Sequence, residues 1–303
     1  MFSGFMITTW VVATVVAVVA GAVGFFVVVR GSAFAAHALP LGAFSGAAAA
    51  ALVGVNTLVG LVVFSVLGAV GIGRLSHRAR RDVATALMLV VLLGLGALFL
   101  SMTSEYAPEI YSLPFGEVLG VSTNQVAPVA VIGALSIAAI VLAWRPLLLG
   151  SISPELGEVA GVHRGRMELW FLLVLAAVTA MALPVVGALL VFSLMVGPPA
   201  AARSFTDKPH VALVGSVAVA VVTVWAAIAI SFRTNWPVGF FVGIIGAGSY
   251  FVGRSWAWWR RNRGNRGNRG NRGGTPDGRL RRGGAPPVEP PGTALRPGAP
   301  APR

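Results

Sequence analysis

A single histidine, His37, lies inside an apolar, small-residue stretch that runs from Gly31 to Ala51. No Asp, Glu, Lys or Arg occurs inside any of the long apolar runs between Phe5 and Gly253. Imidazole is the commonest metal ligand among side chains, and a polar ring at membrane depth is costly and marks a functional site by default. His37 is therefore either a metal ligand or a packing histidine bonded to a backbone carbonyl.

A second candidate region is the segment Ser151–Val162, SISPELGEVAGV. Ser153 followed by Pro154, with Glu155 and Glu158 close behind, is typical of a helix start. The segment is predicted to form a short amphipathic helix at the membrane surface. It lies in a connection of more than about 20 residues, which is long for a helical bundle. The interpretation is a docking surface for another protein, and the alternative is an ordinary connection.

Three prolines could interrupt helices within the stretch Leu183–Phe205. Pro184 and the pair Pro198-Pro199 are predicted to break the helical ladder at its two ends and to free backbone carbonyls. Broken helices at membrane depth are tolerated where they line a cavity. These prolines are therefore predicted to line a path, the alternative being a purely structural kink.

The elements that must position these residues are membrane helices. The chain is 56% hydrophobic and only 11% charged, with a mean hydropathy of +0.82, which predicts an integral membrane protein. Continuous apolar runs, without period-two alternation, favour an all-α polytopic transmembrane bundle over a barrel. Nine segments are predicted, or eight if the two around Pro184 form one broken element. They are Phe5–Val29, Phe34–Val53, Thr57–Gly73, Val83–Met102, Val126–Trp144, Leu169–Leu183, Val185–Ala202, Val211–Phe232 and Val238–Gly253.

The arginines predict how these segments are oriented in the cell membrane. The connections Arg74–Asp82, Arg145–Glu168 and Arg203–His210 are rich in basic residues, whereas Thr103–Gln125 has three glutamates and no basic residue. The positive-inside rule places the first three in the cytoplasm and the last outside. With nine passes, the amino terminus is outside and the carboxyl terminus is cytoplasmic.

The chain divides by composition into a membrane domain, residues 1–253, and a tail, residues 254–303. The tail holds twelve arginines against two acidic residues and is rich in Gly and Pro, which predicts disorder. Such a tail could bind anionic lipid or RNA. The favoured interpretation is a solvated extension that charge holds near the inner leaflet, behind an interfacial cluster of Trp and Arg.

Several function classes are disfavoured by what the sequence omits. It has no cysteine, which excludes disulfides and thiolate metal sites. No carboxylate lies within the membrane runs to relay protons or sodium ions, and no acid–base pair or nucleophile cluster indicates an enzyme. There is no Gly-rich phosphate loop of the Walker type, and no resident cofactor is predicted.

Five motifs, in this order, give the chain a family resemblance: AHALPLG, LPFGEVLGVS, ISPELGEVAGV, VVGALLVFSLMVGPPAAAR and NWPVG. Together they resemble the permease family of zinc and manganese ABC importers, over about residues 5–253. The resemblance implies a type II-like importer permease that forms a homodimer around a central path. It also implies a cytoplasmic ABC ATPase subunit and an extracellular metal-binding protein as partners.

The resemblance also assigns roles to residues. The segment Ser153–Val162 would be the coupling helix, inserted into a groove of the ATPase, through Pro154, Glu155, Leu156, Gly157 and Glu158.

His37 and Asn235 would stand at metal positions on the path. The family commonly has an acidic residue four positions before the histidine, where this chain has Ala33, and an Asp where it has Asn235. The proline pair also departs from the family's single proline at that place.

The sequence thus predicts the membrane-spanning subunit of an ATP-driven importer for zinc or manganese, with ATP hydrolysed by a separate chain. One alternative is an importer of a metal chelate, which would not need carboxylates along the path. The other is a non-transporting membrane protein that keeps the docking helix as an interaction platform.

Overall fold

The computed structural model describes residues 4–76, 80–103, 123–152, 157, 161 and 163–270. These residues contain ten α-helices and no β-strand. The helices are α1 (Gly4–Val29), α2 (Ala33–Val53), α3 (Thr57–Leu75), α4 (Arg81–Met102), α5 (Thr123–Leu142), α6 (Trp144–Ile152), α7 (Arg164–Val186), α8 (Ala188–Phe205), α9 (Pro209–Thr234) and α10 (Val238–Gly270).

Nine of these helices are long and apolar enough to cross a bilayer. The predicted all-α polytopic bundle is therefore confirmed, and each span coincides with one predicted apolar run. The largest difference at the start of a span is in α7, which begins at Arg164 rather than at Leu169. Its first turn and a half carries Arg164, Arg166 and Glu168, which a search for apolar residues leaves out although they fit a helix.

Two helices, α1 and α7, form the centre of the bundle. Helix α1 packs against α5, α8 and α9, whereas α7 packs against α2, α3 and α5. The side chains of Phe25, Phe26, Phe171 and Met181 on these two helices are fully buried. Helices α4 and α5 instead expose rows of Val and Leu, as expected for surfaces that face lipid.

Glycines bring neighbouring helices into direct backbone contact. At the crossing of α2 and α3, a Cβ atom at Gly46 would overlap the Gly60 carbonyl group, and one at Gly60 would overlap that of Gly46. At the crossing of α1 and α8, Gly24 lies against the Met195 backbone. Without a hydrophobic driving force between helices in lipid, such close packing is a main source of association.

Helix α9 runs antiparallel to α1, and two of its side chains donate hydrogen bonds to α1. The Ser216 hydroxyl donates to the Gly21 carbonyl oxygen at 2.6 Å, and the Trp225 indole donates to Thr14 Oγ1 at 2.9 Å. The Trp225 ring also meets Trp10 edge to face. Residues near the start of α1 therefore lie beside the end of α9.

The break between α7 and α8 occurs at Gly187, which corrects the role expected of the prolines. Gly187 has φ 81° and ψ 159°, a conformation essentially restricted to glycine. Pro184 lies inside α7, and Pro198 and Pro199 lie inside α8. Each proline removes one backbone hydrogen bond, and the rest of the ladder holds the helix together. Gly187 therefore separates two of the nine spans found in the described part of the chain.

The chain divides into two units between residues 260 and 261. The last helix, α10, continues past residue 254, where the tail was expected to begin, and reaches Gly270. No proline between Pro237 and Pro276 interrupts its hydrogen-bond ladder. Residues 271–303 lie outside the described part, so their predicted disorder stays a prediction.

Candidate functional site

His37 lies in the second turn of α2, one turn after Ala33, so the two residues share a helix face. Its ring is half-buried and meets the Phe192 ring of α8 edge to face, with centroids 4.7 Å apart at 64°. Among the described residues it forms this aromatic contact and no hydrogen bond. The sequence left open that His37 is a packing histidine bonded to a backbone carbonyl. The contacts of the described residues include no such hydrogen bond.

Asn235 has a local structural role at the end of α9. It adopts the left-handed conformation, with φ 57°, and its backbone N–H donates to the Ser231 carbonyl at 2.9 Å. Asparagine tolerates this conformation better than most residues, and the side chain is exposed. Asn235 lies at the end of the bundle where α1 begins, whereas His37 lies near the end where α1 finishes.

The structure therefore does not bring the two predicted metal positions together within one chain. Within the described residues, no group of three or more His, Cys, Asp or Glu side chains is placed to hold a metal ion. The cavity beside Pro184 is apolar and has a volume of about 10 Å³, space for roughly one water molecule. A path along these residues stays a prediction.

Most of the predicted coupling segment lies outside the described residues, including Pro154, Glu155, Leu156 and Glu158. Gly157 is described, is helical and is buried, and a Cβ atom there would lie 3.6 Å from the Gly150 Cα atom of α6. The roles given to these residues stay predictions.

A charged cluster at one end of the bundle was not anticipated from the sequence. Arg81, at the start of α4, forms a two-point ion pair with Glu168 of α7. Arg81 Nε lies 2.7 Å from Glu168 Oε1, and Arg81 Nη2 donates to Glu168 Oε2 at 3.0 Å. The side chains are 28% and 14% exposed, so solvent screens the pair and its net stabilisation is about 1 kcal/mol.

Arg30, just after α1, joins the same cluster. Arg81 Nη1 donates to the Arg30 carbonyl oxygen at 3.3 Å, and the Arg30 guanidinium carbon lies 5.2 Å from the Phe171 ring centroid. Loss of hydration on burial, together with the positive charges of Arg81 and Arg164, lowers the pKa of Arg30 to about 10, although Glu168 opposes this. Arg30 is therefore positively charged at neutral pH.

The cluster borders an open depression of about 530 Å³. Its charged lining residues are Arg81, Asp82, Arg164 and Glu168. Arg164 begins the helix that directly follows the predicted coupling segment. The sequence showed only that all four residues lie at the ends of spans, in the connections predicted to be cytoplasmic. Their pairing across distant parts of the chain carried no sequence signature.

The nine spans, the glycine-packed core and the charged residues gathered at one end define the class: a polytopic α-helical membrane protein. The model of the ABC 3 transport family matches residues 3–256. The chain belongs to this family, and the match covers almost exactly the helical unit described above.

The relatives carry related names. The chain is 27% identical over 207 residues to the manganese transport system membrane protein MntC of Listeria innocua, covering 68% of this chain and 74% of that protein. It is 25% identical over 231 residues to the high-affinity zinc uptake system membrane protein ZnuB of Buchnera aphidicola, covering 75% and 88%. Its fold is similar to that of PsaBC from Streptococcus pneumoniae in complex with Fab, with a TM-score of 0.74, 21% identity, and coverage of 83% and 91%.

Proposed function

We propose that this chain is the membrane-spanning permease subunit of an ATP-driven importer for divalent metal ions of the manganese and zinc class. The observation that carries the proposal is the similarity over most of the membrane unit to proteins named for manganese and zinc transport. The family match over residues 3–256 supports it, as do the nine spans.

The energy source in this proposal is a separate cytoplasmic ATPase subunit. The sequence contains no Walker-type phosphate loop, and the segment Ser153–Val162 is proposed to be the helix that docks on that partner. The charged cluster around Arg81 and Glu168 would lie on the cytoplasmic face beside it. The carboxyl-terminal tail would then also lie in the cytoplasm, where its arginines contact anionic lipids of the inner leaflet of the cell membrane.

The metal is proposed to arrive from an extracellular binding protein and to pass between two copies of this chain. His37 is the proposed ligand on the inner part of this path, and Asn235 lies at the outer entrance. One neutral imidazole and one amide oxygen hold a divalent ion less strongly than a site that also supplies carboxylates. Transient ligands of this kind suit a path because a transported ion must leave each site as well as enter it.

A second candidate substrate is a metal chelate. The observation that favours it is the pair of substitutions Ala33 and Asn235, which remove two carboxylates, together with the contact of His37 with the Phe192 ring. A chelated ion keeps its own ligands and needs apolar and aromatic contacts more than charged ones.

The test is transport by the purified chain, assembled with its ATPase and binding-protein partners in lipid vesicles. The proposal predicts manganese or zinc accumulation that requires ATP and all three proteins. Accumulation of chelate in the absence of accumulation of free ions would select the second candidate. Vesicles in which neither form accumulates above the level without ATP would contradict both.

A further inference from the structure

The side chain of Arg30 contacts the helices on both sides of the proposed docking segment. Its Nη1 atom lies 3.5 Å from the Ser151 hydroxyl oxygen, at the outer limit of a hydrogen bond. Ser151 lies at the end of α6, just before that segment. The Arg30 guanidinium also lies over Phe171 of α7, the helix that follows the segment. Movement of either flank therefore changes a contact of Arg30.

The backbone of Arg30 is held at the same place. Its carbonyl oxygen accepts a hydrogen bond from Arg81, which is itself paired with Glu168 of α7. Gly31 follows with φ +64°, and α2 begins at Ala33. Only Gly31 and Ser32 therefore separate Arg30 from the helix that carries His37. A displacement of Arg30 is passed to the start of α2 because so short a connection cannot absorb it.

Arg30 has an energetic cost that a side chain used only for packing would not have. Its Nε atom is buried with no hydrogen-bond partner among the described residues, and an unsatisfied buried donor costs about 1–3 kcal/mol. An unbranched apolar side chain would fill the same space without that cost. The guanidinium offers instead a rigid plane that stacks on an aromatic ring and several donors that can exchange partners.

We propose that Arg30 is the positioning residue that links the docking segment to α2, so that ATPase movement reaches the metal path through the contacts of Arg30 with Ser151 and Phe171. The inference rests on the proposed function. Arg30 touches neither metal nor nucleotide in this account. Its loss should therefore uncouple ATP hydrolysis from transport rather than abolish hydrolysis.

The experiment measures metal uptake and ATP hydrolysis in the same vesicles, with the chain assembled with its ATPase and binding protein. Arg30→Gln removes the charge and the guanidinium plane, and the ratio of metal imported to ATP hydrolysed should fall at least about fivefold, the lower end of typical coupling between sites. Arg30→Lys keeps the charge and loses the plane, and its ratio should fall to an intermediate value. The matched control is Arg74→Gln, an exposed arginine in the last turn of α3, which should keep the wild-type ratio.

The outcomes separate the two claims. Wild-type vesicles without ATP-dependent uptake would contradict the proposed function. Wild-type vesicles that transport, beside an Arg30→Gln variant with an unchanged ratio, would overturn the role of Arg30 and leave the proposed function standing. Uptake and hydrolysis that fall in parallel would also overturn it. If Arg30→Gln does not assemble, Arg30→Lys decides: the wild-type ratio in that variant refutes the inference.

Discussion

Replacing Gly24 with alanine tests the crossing of α1 and α8 at the centre of the bundle. The added Cβ atom would lie 2.8 Å from the Met195 Cα atom and 2.9 Å from its carbonyl carbon, and closer still to the carbonyl oxygen. Unbonded carbon atoms normally lie about 3.5–4.0 Å apart. Because every overlapping atom belongs to the backbone, no side-chain rotation relieves the clash, and the two helices must separate by about 1 Å.

The magnitude follows from two opposing effects. Overpacking of this kind costs about 1–3 kcal/mol, whereas Gly→Ala inside a helix contributes about 1 kcal/mol of helix propensity. Because every overlapping atom at Gly24 belongs to the backbone, the upper part of the overpacking range, about 2–3 kcal/mol, applies. After the gain in helix propensity, the expected net destabilisation is about 1–2 kcal/mol, which corresponds to a fall in Tm of roughly 2–8 °C for a chain of this size. The change in Tm is measured on the detergent-solubilised protein: samples are heated, and the folded protein that remains is quantified by size-exclusion chromatography.

The matched control is Gly94→Ala in α4, where nothing lies within 4 Å of the added Cβ atom. This variant gains helix propensity without a clash, so its Tm should equal or exceed that of the wild type. If Gly24→Ala also keeps the wild-type Tm, α1 and α8 do not cross at Gly24 and Met195, and the reasoning is refuted.

Three further predictions concern function. Reversing Glu155 and Glu158 together to lysine should lower the amount of ATPase that co-purifies with the chain at least about tenfold, because like charges at a docking surface cost several kcal/mol; undiminished co-purification discards the docking role. His37→Ala should lower manganese or zinc accumulation in cells roughly tenfold at equal protein abundance, measured by elemental analysis and immunoblot, and equal accumulation moves His37 to a packing role. Truncation after Arg261 should leave metal uptake intact, since the tail is proposed to be a solvated extension; a loss of uptake at normal abundance would give the tail a necessary function.

The spans could be predicted because each depends on a local property. A run such as Val211–Phe232 has no charged residue over its whole length. In lipid, a helix satisfies the backbone hydrogen bonds of such a run within the run itself. Helix ends were less predictable. Charged residues such as Arg166 and Glu168 belong to the first turns of α7, and a search for apolar residues does not show that a helix begins before its apolar part.

The break between the sixth and seventh predicted runs was assigned to the wrong residue type. Proline disrupts helices in water, which made Pro184 the obvious candidate. Inside a packed bundle its missing N–H leaves one carbonyl unbonded, and neighbouring turns keep the helix intact. Gly187, three residues later, carries the actual break because its positive φ is open to glycine. Because glycine is common throughout the chain, the presence of Gly187 did not mark the position of the break in the sequence.

The charged cluster could not have been found from the sequence because its members come from three separate parts of the chain. Arg30, Arg81 and Glu168 become neighbours only because α1 ends, and α4 and α7 begin, at the same level of the bundle. The contact of His37 with Phe192 has the same origin, since it depends on the packing of α2 against α8. The residue types were predictable as candidates, and their partners required the tertiary structure.

The most direct test of the central claim is the metal content of cells from which this chain has been deleted, grown separately under zinc, manganese and iron limitation. If this chain imports the metal, cellular manganese or zinc falls under limitation of that metal, and the intact chain restores it. Unchanged contents of both metals in the deletion strain would contradict the proposal that this protein imports them.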